Sequence, residues 1–116
     1  MAMNIIRQSK ENMKATEIYK LSKDPKIQKM SENIGRTVNV DSWIIYSELN
    51  AKGEEVVVLS IKDQDGTVLA TNSKVFREQF EDIADICGGD VDMIEIISGL
   101  SKNNREYVTC SYVGNK

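Results

Sequence analysis

The chain has 116 residues, 15 Lys and Arg against 18 Asp and Glu, a formal net charge of −3 and an apolar share of 41%, which bounds it to one domain around one core. No apolar run approaches the roughly 18 residues of a membrane span, and no apolar leader region follows Met1, so a cytoplasmic protein is expected. Histidine is absent and the two cysteines, Cys87 and Cys110, form no CxxC pair; this excludes a Ser-His-Asp triad, a Cys-His pair and a His-bearing zinc site.

Charge is unevenly spread. Residues 1–30 carry seven basic and three acidic side chains, whereas residues 63–96 carry two basic and nine acidic ones. A mildly acidic chain can still bind an anion, because the local field at the site decides.

Residues 1–36 read as a helical lead-in. A short helix is expected around 14–21, with Ile18 and Leu21 packing. Asp24-Pro25 then supplies an N-cap and a first-turn Pro for a second helix carrying Ile27, Met30 and Ile34, stopped by Gly35. From Thr37 the period changes to two, and 37–46 reads as a long β-branched and aromatic strand. A turn at Asn50-Ala-Lys-Gly53 leads to a strand over 54–62. Asp63-Gln-Asp-Gly66 is a hairpin signal, because Asp-Gly tolerates positive φ. A short third strand covers 67–71. Ser73 caps a helix with Val75, Phe76, Phe80, Ile83 and Ile86 as its apolar stripe and Glu78, Glu81, Asp82 and Asp85 opposite. Gly88-Gly89 ends it, and strands over 93–98 and 106–113 flank a polar loop, 99–105. The predicted class is mainly β: a five-stranded OB-type barrel, β-β-β-α-β-β, with a helical N-terminal extension. The predicted division is an extension over 1–36 and a barrel domain over 37–116.

Nothing in the sequence calls for catalysis. Asp63, Asp65, Asp90 and Asp92 sit in turns without the spacing of a calcium loop. Cys87 closes a helix C-terminus, which disfavours a thiolate. No enzyme, no metal and no cofactor is expected. Binding fits better. In an OB barrel the turn carrying Lys52 and the loop carrying Lys102 and Arg105 flank the ligand groove, and single-stranded nucleic acid needs cations for phosphates and aromatic faces for bases. Strict alternation puts Trp43 and Tyr46 on opposite faces, so both cannot be exposed without a bulge. Burial and exposure of Trp43 stay equally open. Tyr107 lies two residues from Arg105 and opposite Val108, Cys110 and Tyr112, which makes it the stacking candidate.

The segment Asp65-Gly-Thr-Val-Leu-Ala-Thr-Asn-Ser-Lys74, the helix after it, and Ile96-Ile-Ser-Gly-Leu-Ser-Lys-Asn-Asn-Arg-Glu-Tyr107 together resemble small single-stranded DNA-binding proteins of bacteriophages that infect Gram-positive bacteria. The resemblance runs from about Val40 to Val113 and leaves the basic lead-in uncovered. Where that pattern often has Gly in the last hairpin, this chain has Asn103-Asn104, which also tolerates the left-handed region. The resemblance implies an OB-fold that coats single-stranded DNA, without sequence preference, in phage replication or recombination in the host cytoplasm. The expected nucleic-acid-binding residues are Arg36, Trp43, Lys52, Lys62, Lys74, Lys102, Arg105 and Tyr107. Expected partners are single-stranded DNA and replication or recombination proteins, with no membrane, and the lead-in is available for self-association. No residue reads a 2′-OH, so DNA and RNA are not separated. The competing expectation is a protein-interaction or inhibitor module acting through the acidic helix.

Overall fold

A computed structural model describes residues 3–114. It is mainly β, a curled half-barrel, built from β1 (Asn4–Gln8), α1 (Ala15–Ser22), β2 (Gln28–Lys29), β3 (Thr37–Leu49), β4 (Glu55–Asp63), β5 (Val68–Thr71), α2 (Lys74–Ile86), β6 (Met93–Leu100) and β7 (Glu106–Tyr112). The sheet runs β2-β5-β4-β3-β6-β7, with β1 also on β3. All pairs are antiparallel except β2 with β5.

β3 is the spine. Its two halves use one edge for different partners: 37–39 pair with β6 and 44–47 with β1, while β4 takes the other edge. A register shift between Val40 and Ser42 makes this bend. A bulge inserts a residue and reverses the parity of the side chains beyond it. Accordingly even-numbered Val38 and Val40 enter the same core as odd-numbered Trp43 and Ile45.

That main core lies between the inner face of the sheet and α2, and also contains Leu59, Ile61, Leu69, Phe76, Phe80, Ile94 and Ile96. Of the expected α2 stripe Phe76, Phe80 and Ile83 are buried, joined by Ala84, whereas Val75 and Ile86, at the two ends of the helix, are exposed. Ser73 Oγ accepts from Phe76 N–H at 3.2 Å, and positive φ at Gly88 and Gly89 lets Gly89 N–H reach Ala84 O at 2.7 Å. A second, smaller core lies on the outer face, where Ile44, Tyr46 and Val68 pack against Leu21 and, at its margin, Met3, Ile5, Met13 and Ile27. Both faces of β3 are therefore covered, and residues 42–47 are all buried. Burial raises the Tyr46 phenol to about 12, with Glu48 adding to it. Buried Cys110 is likewise raised to about 12.

The lead-in differs from the helical expectation. α1 forms, but β1 and β2 add two strands, giving seven rather than five. No helix starts at Asp24-Pro25. Instead Asp24 Oδ1 accepts from Lys26 N–H at 2.9 Å and Asp24 O from Ile27 N–H at 3.1 Å, and a one-turn 3-10 helix, Met30–Glu32, follows β2. The reason lies in packing. Ile27 joins the outer core and Met30 the inner one, so the chain crosses the edge of β5 between them. A helix would have placed both on one face. Ile34 is left 45% exposed.

Candidate nucleic-acid interface

Arg7 on β1 ties the layers together. Its guanidinium lies 5.6 Å from the Trp43 ring centroid and bonds Asp85 of α2 at 2.7 Å, with Glu81 at 3.9 Å. The indole itself is 1% exposed and meets Phe80 edge-on at 5.2 Å. Trp43 is thus a core residue, and the expectation that it stacks on bases is corrected: alternation from Ile45, inside, decides its side. Its Nε1 has no hydrogen-bond partner.

Arg36 is also spoken for. It bonds Asp63 at 3.2 Å and Asp65 at 3.1 Å, tying the start of β3 to the β4–β5 hairpin, and is not a free cation. Lys62 lies 3.8 Å from Asp41. Lys52 is exposed in the β3–β4 turn, whereas Lys102 and Arg105 are exposed in the β6–β7 hairpin. These two loops are not neighbours. The β3–β4 turn follows Leu49, and β6, paired Thr37 to Glu95, runs on past the start of β3, so they mark opposite ends of the spine. Lys74 opens α2, on the other face of the sheet from α1. Tyr107 is 36% exposed. It pairs with Gly99, over which its ring lies so closely that a Cβ there would meet ring atoms at 2.7 Å, and it shares a groove with Glu78 and Asp82.

The structure instead gathers cations on the outer face. One groove is lined by Lys20, Lys26, Gln28 and the hairpin residues Asp65, Gly66 and Thr67. A second is lined by Thr16, Glu17, Lys20, Ser42 and Lys62. Lys20 belongs to both, so Lys26, Lys20 and Lys62 form one continuous strip, and Lys29 continues it beside Ala70 and Asn72. The carboxylates in these grooves are engaged. Glu17 pairs with Lys10 at 2.8 Å, and that bond holds its carboxyl below the usual range. Asp65 is lowered too, first by the Thr67 backbone N–H and then by Arg36. Asp24 caps the Lys26 amide. Among the described residues Lys20, Lys26 and Lys29 form no ion pair. Tyr19, next to Lys20 on α1, is 51% exposed.

The outer strip was not assembled from the sequence, although a signal existed: Lys20, Lys23, Lys26 and Lys29 recur every third residue. Lys23 is not part of it, being paired with Glu48. Among the described residues no cluster of three His, Cys, Asp or Glu could hold a metal, and no helix is long and apolar enough to cross a membrane. No family model, curated protein or solved structure matches the chain.

Proposed function

We propose that this protein is a non-catalytic, sequence-tolerant single-stranded DNA-binding protein whose nucleic-acid surface is the outer face of the half-barrel. The observation that carries the reading is the segregation of charge across the sheet. Lys20 and Lys26, which form no ion pair among the described residues, and Lys62, paired only with Asp41, line the grooves on the α1 side, and the acidic face of α2 lies on the opposite side. The connectivity supports it: β3-β4-β5-α2-β6-β7, with neighbours in the order β5-β4-β3-β6-β7, is the strand order of an OB barrel opened along its closing seam. β2 lies on the edge of β5 where that barrel would close.

Phosphates would lie along Lys62, Lys20, Lys26 and Lys29, with Tyr19 offering a base-stacking face and Lys102 and Arg105 extending the track at the hairpin end. Contacts to phosphates and π-faces tolerate any sequence. Coating of single strands in phage replication or recombination is the role this chemistry serves.

The surface is tested by amide chemical shifts on adding an oligo-dT. The largest changes are expected at Tyr19, Lys20, Lys26, Gly66 and Thr67. Changes centred on Glu78 and Asp82, with the α1 side silent, would overturn the assignment of this face.

A further inference from the structure

Lys20, Lys26, Asp24 and Asp65 line one groove of about 330 Å³ between the end of α1 and the β4–β5 hairpin, a volume within the range of small-molecule sites. Opposite charges share this groove without pairing: Lys20, Lys26 and Asp24 form no ion pair among the described residues. Free donors and a free acceptor therefore face the same space. Ile27 adds apolar surface and Gln28 an exposed carboxamide.

Asp24 is half-buried and held in place. Its N–H donates to Tyr19 O at 3.2 Å, its carbonyl accepts from Ile27 N–H at 3.1 Å, and Oδ1 accepts from Lys26 N–H at 2.9 Å. Among the described residues the one hydrogen bond to its carboxylate falls on Oδ1, which leaves Oδ2 for a ligand. Asp65 differs, with Oδ1 on Thr67 N–H and Oδ2 on Arg36. A lone phosphate is a poor occupant beside two carboxylates, and a metal cation a poor one beside two ammonium groups. A nucleotide carries both an anion and a base edge with N–H donors. Among the four DNA bases only guanine has two adjacent donors on its Watson–Crick edge, N1–H and the N2 amino group, which match the two oxygens of one carboxylate. Adenine and cytosine set one amino donor beside a ring-nitrogen acceptor, and thymine sets one N–H between two carbonyls.

We infer that this groove is a guanine-selective subsite of the single-stranded DNA surface, with Asp24 as the residue that reads the base. The inference rests on the nucleic-acid reading above. Asp24 accepts from N1–H and the N2 amino group, the Gln28 carboxamide donates to O6, and Lys20 and Lys26 take the flanking phosphates. The rest of the strip offers no such acceptor: no carboxylate lines the groove beside Lys29, and Glu17 in the Lys62 groove is paired with Lys10. The preference is thus confined to one nucleotide of a track that is otherwise indifferent to sequence.

The test is competition anisotropy at low salt with the full chain and four oligomers, d(TTG)3, d(TTA)3, d(TTC)3 and dT9. The guanine oligomer is expected to bind at least about fivefold more tightly than the other three, the low end for a bidentate base contact. Hypoxanthine in place of guanine, which lacks the N2 amino group, should remove most of that preference, whereas 7-deazaguanine, which keeps the edge, should retain it. Asp24→Asn keeps Oδ1 for the Lys26 amide and turns the free acceptor into a donor. It should bring the four oligomers to within about twofold of one another without weakening dT9, and circular dichroism verifies that it folds. Equal binding of all four by the natural chain, a hypoxanthine oligomer as tight as the guanine one, or a preference that survives Asp24→Asn would overturn the subsite alone. No binding of any oligomer, dT9 included, would overturn the nucleic-acid reading and the subsite with it.

Discussion

Trp43→Ala should cost about 3–5 kcal/mol in urea unfolding followed by circular dichroism. That is the usual range for emptying a buried Trp site, where lost transfer energy and a residual cavity add. Trp43 stands at the meeting of three elements: Phe80 of α2 touches one side, Arg7 of β1 lies over the ring, and β4 flanks it through Ile61. A small domain holds only about 5–15 kcal/mol in total, so much of the folded population is at risk. Trp43→Phe should cost far less, since it keeps most of the packing and removes an indole N–H that is buried without a partner. A loss below 1 kcal/mol for Trp43→Ala would mean that the residue is not the centre of the core. The same burial predicts that oligonucleotide leaves Trp43 fluorescence essentially unchanged, and strong quenching would place bases against it after all.

The second large effect is on binding. Lys20→Glu with Lys26→Glu and Lys62→Gln removes three ammonium groups from one strip. At about 1 kcal/mol for each solvent-screened phosphate contact, the loss is about 3 kcal/mol, or roughly a hundredfold in affinity for oligo-dT at low salt. The salt slope should fall by about 2, since a single strand contributes about 0.7 per phosphate neutralised. Lys52→Glu with Lys74→Glu shifts the net charge by four, against five for the strip variant, at positions that line none of the lysine grooves, and should alter affinity no more than about threefold. Equal effects from both variants would reduce the interaction to net charge and remove the outer face as a site.

Much of the frame was legible. The strands over 37–71, the Ser73 cap and the middle of the helix stripe (Phe76, Phe80 and Ile83) follow from period, turn chemistry and capping, which are local. The lead-in was not. A cap, a Pro and apolar residues three apart at Ile27 and Met30 satisfy every local rule for a helix, and only the tertiary demand that those side chains enter different cores forbids one. The site was legible in kind and not in place. Basic residues stood out in the sequence, but ion pairing withdraws Arg36, burial withdraws Trp43, and the 13-residue length of β3 separates Lys52 from Lys102 and Arg105. What joins Lys20, Lys26 and Lys62 is the packing of α1 onto the sheet, which no local pattern encodes. The bulge at 40–42 is a similar case: it changes which side chains of β3 share a face, and no Gly marks it.

The central claim is best tested by titrating the protein into a labelled oligo-dT and into a duplex of the same length, by anisotropy, at 50 and 200 mM salt. The account predicts tight binding to the single strand at low salt, weaker binding to the duplex, and a steep loss of affinity at the higher salt. No binding to the single strand at 50 mM, or affinity indifferent to salt, would contradict it.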